Sequence, residues 1–206
     1  MRPARIALAV TLAATVSGCV SLVPKSKPSQ LYRFGLSAAA TPERTNTVGV
    51  FRASGQFQRE AAGDRILTIT GDRAAYIAEV RWVAPAEALF DEAVAAAFDS
   101  SVGRARLVSR GEPSRAKFAL RLDVRNFETR YGGDGSPTVL IRIRAVLARS
   151  AAPGQALERV FEARAPAERN RVGSIVAAYN EALAKVLGDV VAWANSRVAA
   201  EAPAAG

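Results

Sequence analysis

The 206-residue chain has no histidine, one cysteine and one methionine. Without histidine, Ser-His-Asp and Cys-His nucleophilic arrangements are excluded, and the commonest metal ligand is missing. A single cysteine excludes an internal disulfide and a multi-thiolate metal site. Neither a G-x-G-x-x-G fingerprint nor a P-loop occurs. The apolar run Ile6 to Val16 falls short of the roughly 20 residues that span a bilayer as a helix. Carboxylates remain for acid/base work. The pairs Asp91 with Glu92 and Asp123 with Glu128 have plain structural readings, the first on the wet side of a predicted helix, with Asp123 facing outward on a predicted strand. The expectation is a protein that is not an enzyme and that holds no metal and no non-covalent cofactor.

What is present begins at that lone cysteine. Arg2 and Arg5 precede the apolar run, and Val16-Ser17-Gly18-Cys19 closes it. This is the layout of a bacterial lipoprotein signal: a positive start, an apolar stretch, then small residues that let a peptidase reach the backbone. On this reading Cys19 receives a diacylglyceryl group, cleavage precedes it, and the new amino group takes a further acyl chain such as palmitate. Stable anchoring needs more than one chain, at about 0.8 kcal/mol per buried methylene. An ordinary secretory signal cut near Ala13 or Ala14 is the alternative. Val20, rather than an aspartate, after the cysteine favours the outer membrane of a Gram-negative bacterium, facing the periplasm.

Charge is the second positive feature. The chain carries 28 Lys+Arg against 19 Asp+Glu. A basic surface suits anionic headgroups or an acidic protein. Nucleic acid is not expected as a partner of an exported domain.

Residues 20–29 include Pro24, Pro28, Ser21, Ser26, Ser29, Lys25 and Lys27, the composition of an extended tether. Leu31–Leu36, Val48–Phe51 and Leu107–Val108 read as short strands, and Ser54–Asp64 as a loop. Ile66–Thr70, the Gly71-Asp72 turn signal and the alternation of Tyr76, Ala78, Val80 and Trp82 predict a hairpin returning from Tyr76 to Val83. Pro85–Ser100 is expected as a helix with Pro85 in its first position. Its apolar stripe is Leu89, Phe90, Ala93, Val94, Ala97 and Phe98. Alternations over Phe118–Val124, Val139–Leu147 and Leu157–Ala163 predict an antiparallel meander. Val172–Val198 is a second helix, striped by Ile175, Tyr179, Leu183, Val186, Val190 and Trp193. Gly188 within it is either a weak spot or a point of close approach. The fold class is α+β: one domain, a mainly antiparallel, mixed sheet with two helices packed on it. The expected division is a signal peptide over 1–18, a lipidated tether over 19–29, the domain over 30–198 and a disordered tail over 199–206.

Several local sequences, in this order, resemble the auxiliary lipoproteins of ABC-type transport systems. These include the paraquat-inducible outer-membrane lipoproteins that work with MCE proteins. The resemblance spans about Gln30 to Arg197. It is carried by Leu31-Tyr32-Arg33-Phe34, by Ile77-Ala78-Glu79-Val80-Arg81-Trp82-Val83-Ala84-Pro85, by Leu120-x-Leu122-x-Val124-x-x-Phe127, by Val176-Ala177-Ala178-Tyr179-Asn180-Glu181-Ala182-Leu183 and by Trp193. Arg33 departs from a Tyr-Thr-Leu type segment, and Tyr179 stands where Phe is frequent. The resemblance implies two helices on a sheet, an MCE-domain periplasmic partner, an inner-membrane ABC transporter and an envelope lipid as cargo. It carries over no catalytic residue.

The leading expectation is therefore a module that docks a transport assembly at the outer membrane. Arg73, Tyr76, Arg81 and Trp82 are candidate interface residues, since aromatics and arginine are enriched at binding hot spots. A core position on an alternating strand is the competing reading for Tyr76 and Trp82. Self-association into a homo-oligomeric ring is compatible with the composition. A periplasmic lipid carrier is the alternative function, with Ala93, Ala97, Ala145 and Ala163 either leaving room for an acyl chain or allowing close packing. An envelope hydrolase would need two carboxyl groups about 5 to 9 Å apart in a cleft.

Overall fold

Three long alternating stretches build the centre of the molecule. In the computed structural model, which describes residues 28–36, 43, 47–108, 116–132 and 136–200, they form β7 (Phe118–Tyr131), β8 (Pro137–Arg149) and β9 (Ala152–Pro166). Both neighbouring pairs are antiparallel, as a meander requires. Leu120, Leu122 and Val124 of β7 lie opposite Leu147, Ala145 and Ile143 of β8, and Ile143 in turn lies opposite Phe161 of β9. These side chains share one buried core. A bulge between Val124 and Asn126 adds one residue to β7. The extra residue turns Phe127 back to the core face, which the three-residue step from Val124 to Phe127 demands.

Shorter strands complete the sheet. β2 (Val48–Ala53) pairs in parallel with the first part of β7 and with β6 (Ala105–Val108). β3 (Leu67–Thr70) pairs in parallel with the last part of β7 and antiparallel with β4 (Arg73–Tyr76). Both β2 and β3 thus lie on one edge of β7, with residues 54–58 running between them. That segment is held as an irregular continuation: the Val124 amide donates to the Gln56 carbonyl at 2.7 Å, and the Phe127 amide donates to the Gln58 side-chain oxygen at 2.7 Å. β1 (Gln30–Tyr32) and β5 (Val80–Trp82) form a separate parallel pair.

Two helices cover one face of the sheet. α1 (Ala86–Ser100) buries Leu89, Phe90, Ala93, Val94, Ala97 and Phe98, the stripe expected from the sequence. α2 (Val172–Ala200) buries Ile175, Tyr179, Leu183, Val186, Val190 and Trp193, packing on β8 and β9. The mixed, mainly antiparallel sheet with two helices is the α+β arrangement read from the sequence. An aromatic cluster joins its parts: Phe34 meets Trp82 at 4.9 Å and Phe127 at 5.0 Å, and Tyr179 of α2 meets Trp82 at 5.2 Å.

Four local expectations need correction. The hairpin's return strand is Arg73–Tyr76, not Tyr76–Val83. Gly71 (φ 57) and Asp72 make a two-residue turn, and the chain then breaks at Glu79 (φ 57) before β5 joins β1 instead. The strand expected over Leu31–Leu36 is only Gln30–Tyr32. Pro85 is the residue before the helix rather than its first residue, with φ −50 and ψ 135. It offers no capping side chain, so the Ala86 and Glu87 amides donate to the carbonyls of Gly63 and Ala62 at 3.0 and 3.2 Å. That backbone cap satisfies donors a helix start leaves open. Asp123, expected to be wet, is 4% exposed.

Candidate functional site

Among the described residues no group of three or more acidic or sulfur ligands could hold a metal. No described helix is long and apolar enough to cross a membrane. Cys19 lies outside the described residues, as do residues 1–18 and 201–206.

The carboxylates singled out from the sequence are tied into the framework. Asp123 accepts from the Gln56 amide at 3.1 Å and from Arg144 at 3.2 Å. Glu128, 2% exposed, accepts from Gln58 at 2.9 Å and Arg130 at 2.7 Å. Together they fasten residues 56–58 along β7, and burial is tolerated because each charge is paired and hydrogen-bonded. Asp91 pairs with Arg52 at 3.2 Å and, with Glu87, borders a cleft of about 200 Å³. Glu92 pairs with Arg33.

The four candidate interface residues divide. Trp82 is 2% exposed and belongs to the aromatic cluster, so its side chain presents no surface. Tyr76 is half-buried, donates to the Glu60 carbonyl at 2.9 Å and lies under the Arg65 guanidinium, 3.8 Å from its ring centre. Arg81 is exposed and pairs with Asp64 at 2.8 Å. Tyr76 and Arg81 thus brace the same segment, residues 60–64. Arg73 is exposed beside the β3–β4 turn. Arg73 and Tyr76 lie on β4 and Arg81 on β5, and Tyr76 and Arg81 contact residues 60, 64 and 65.

A second surface did not stand out in the sequence. The sheet face away from the helices carries Arg121, Asp123, Arg125, Glu128 and Arg130 of β7, Arg142 and Arg144 of β8, and Glu158, Glu162 and Arg164 of β9. Arg144 bridges Asp123 and Glu158. Glu162 accepts from Arg142 at 2.6 Å and Arg164 at 2.8 Å. Hydrogen bonding from Arg144 holds the Glu158 carboxyl below its ordinary range, and bonding from Arg142 does the same for Glu162. The reciprocal bonds raise Arg144. The face is an interlocked ladder with more arginine than carboxylate. Its signal was the placing of charge at every second position of consecutive strands, which reads equally as an ordinary wet face.

Three of the four alanines weighed for a cavity are sealed in the core: Ala93, Ala145 and Ala163 are at most 2% exposed. Ala97 borders an open, mostly apolar cleft of about 570 Å³ between the end of α1 and α2, which Val102 and Val191 also line.

A family model described as "ABC-type transport auxiliary lipoprotein component" matches residues 28–191. No curated protein matches the chain. Among solved structures, protein XCC0632 from Xanthomonas campestris, of family DUF330, is similar at a TM-score of 0.67 with 19% identity, over 85% of this chain and 100% of that one. An uncharacterized protein is similar at 0.64 with 17% identity, over 82% of this chain and 99% of that one. The hypothetical protein CT253 from Chlamydia trachomatis reaches 0.53 with 12% identity, over 75% of this chain and 99% of that one. At these identities the likeness is one of fold.

Proposed function

The chain belongs to the ABC-type transport auxiliary lipoprotein component family, and from that membership we propose that it docks an MCE-type lipid-transport assembly at the outer membrane. In this role acyl chains on Cys19 hold the domain at the bilayer, residues 20–29 set its distance from the headgroups, and a protein surface receives the periplasmic partner. The observation that carries the reading is the family match over residues 28–191, in a chain whose only cysteine follows an apolar run laid out like a lipoprotein signal. The surface would be that of β4 and β5, where Arg73 and Arg81 are exposed and Tyr76 is half-buried beside them, since arginine and aromatic side chains are enriched at binding hot spots. The work is recognition and involves no covalent chemistry: the carboxylates described above serve as framework.

Mild detergent extraction after brief cross-linking tests this. An MCE-domain protein or an ABC permease or ATPase is expected to copurify with the full chain, and Arg73→Glu with Arg81→Glu should lower the yield severalfold. Recovery of the chain with none of these components sinks the proposal. The carrier reading has one feature in its favour, the apolar cleft beside Ala97. A lipid recovered in stoichiometric amount from purified protein, and lost in Val191→Arg, would promote it over docking.

A further inference from the structure

β9 is the free edge of the meander. It pairs with β8 and, among the described residues, with nothing on its other side. Between Pro153 and Pro166 it contains no proline and, from Leu157 on, no break in its register with β8. Natural sheets usually guard such an edge by keeping it short, charged, bulged or covered, because its open amides and carbonyls will pair with another strand. This one is long, and two of the large apolar side chains that the described residues leave in water sit on it: Leu157 at 44% and Val160 at 55% exposed.

Its charge order is the informative part. We propose that β9 pairs antiparallel with β9 of a second copy of this chain, about a two-fold axis at Phe161, so that two sheets continue as one. A two-fold normal to the sheet keeps each side chain on its own face, so residue i meets residue 322 − i of the partner. On the wet face Glu158 then lies opposite the partner's Arg164, and Arg164 opposite the partner's Glu158. Val160 covers the stem of the partner's Glu162. On the helix face Leu157 meets the partner's Ala165, and Arg159 meets the partner's Ala163. Moving the axis one residue toward the start of β9 sets Glu158 against the partner's Glu162. Moving it one residue the other way sets Glu162 against itself. Like charges directly opposite destabilise a strand pair, and opposite charges support it. The Phe161 register thus escapes the repulsion of its neighbours while overlapping Leu157 through Ala165. The contact is isologous, so it closes at two copies and does not propagate. It does not depend on a transport partner.

The test uses the full chain purified in mild detergent, with mass read by light scattering across a dilution series. The expected result is a dimer whose dissociation constant rises at least tenfold in Glu158→Arg and in Arg164→Glu, and returns toward the wild-type value in the double reversal. A wild-type monomer at every concentration overturns the pairing. So does an oligomer indifferent to either reversal, or single losses that the double variant fails to restore. If a reversal unfolds the chain by circular dichroism, amide exchange of the wild type decides. Amides of residues 157–165 that gain protection as concentration rises support the edge pairing, and concentration-independent exchange there refutes it.

Discussion

At Gly55 the backbone passes so close to β7 that a Cβ would lie 1.9 Å from the Leu122 carbonyl oxygen. The obstacle is backbone in the middle of a sheet and cannot swing aside. Gly55→Ala is therefore expected to cost about 1–3 kcal/mol, the usual range for overpacking, seen as a lower urea midpoint with an unchanged slope. Gly188 is the opposite case. Nothing lies within 4 Å of the Cβ it would gain, so of its two sequence readings the weak spot holds and close approach does not. Gly188→Ala should stabilise by up to about 1 kcal/mol through helix propensity alone, and the same urea series measures both. A third residue-scale effect is pH dependence. Glu158 and Glu162 are held below the ordinary glutamate value of 4.5 by hydrogen bonds from Arg144 and Arg142. A depressed folded pKa means the unfolded chain binds protons first as pH falls. The stabilisation is whole above pH 4.5 and drains away as pH drops through the lower folded values. Urea midpoints taken between pH 3 and 6 should fall more steeply for the wild type than for Glu162→Gln, and equal slopes would show that the ladder contributes nothing.

Among the elements, the least self-sufficient is the β1–β5 pair, only three residues long on each side. Its order comes from side chains: Trp82 of β5 inserts between Phe34, which follows β1, and Tyr179 of α2. Trp82→Ala should cost about 3–5 kcal/mol and loosen the N-terminal strand first, so amide exchange at residues 30–36 should rise more than in β8. Uniform exchange through both would mean that the cluster is not what holds β1. This pairing was also the least legible part of the sequence. The meander and both helices could be read because period-two and helical spacing persist over many residues, and even the bulge is written in the Val124-x-x-Phe127 step. The alternation of Tyr76, Ala78, Val80 and Trp82 was equally regular, yet it is cut by Glu79 at φ 57. No glycine or asparagine announces that left-handed residue. Parallel pairing of residue 30 with residue 80 leaves no local trace either. Asp123 has outward parity, but residues 54–58 fold over it, and nothing near position 123 encodes that cover. A core position for Trp82 could be read from the strand alternation, but the aromatic partners that bury it, Phe34 and Tyr179, could not be named from the sequence.

At the scale of the whole molecule, the fold is one layer of helices on a sheet whose other face is charged, and no described helix is long and apolar enough to cross a membrane. Where the proposed acylation of Cys19 is the anchor, its strength follows from the number of acyl chains. A single myristoyl-sized chain gives only marginal binding, with an association constant of about 10⁴ M⁻¹, and a second chain makes anchoring stable. If cleavage before Cys19 removes Arg2 and Arg5, the net charge falls from +9 to +7. That excess adds some attraction to anionic headgroups, but salt screens it over about 10 Å at 0.1 M. If acylation is the anchor, high salt and alkaline carbonate should leave the protein in the membrane pellet, and its intact mass should match a chain beginning at Cys19 with acyl additions. Cys19→Ala should accumulate as an uncut precursor lacking that mass. A wild-type protein washed free by salt, with Cys19 unmodified, would mean that charge alone holds the domain at the surface and that the lipoprotein signal is misread.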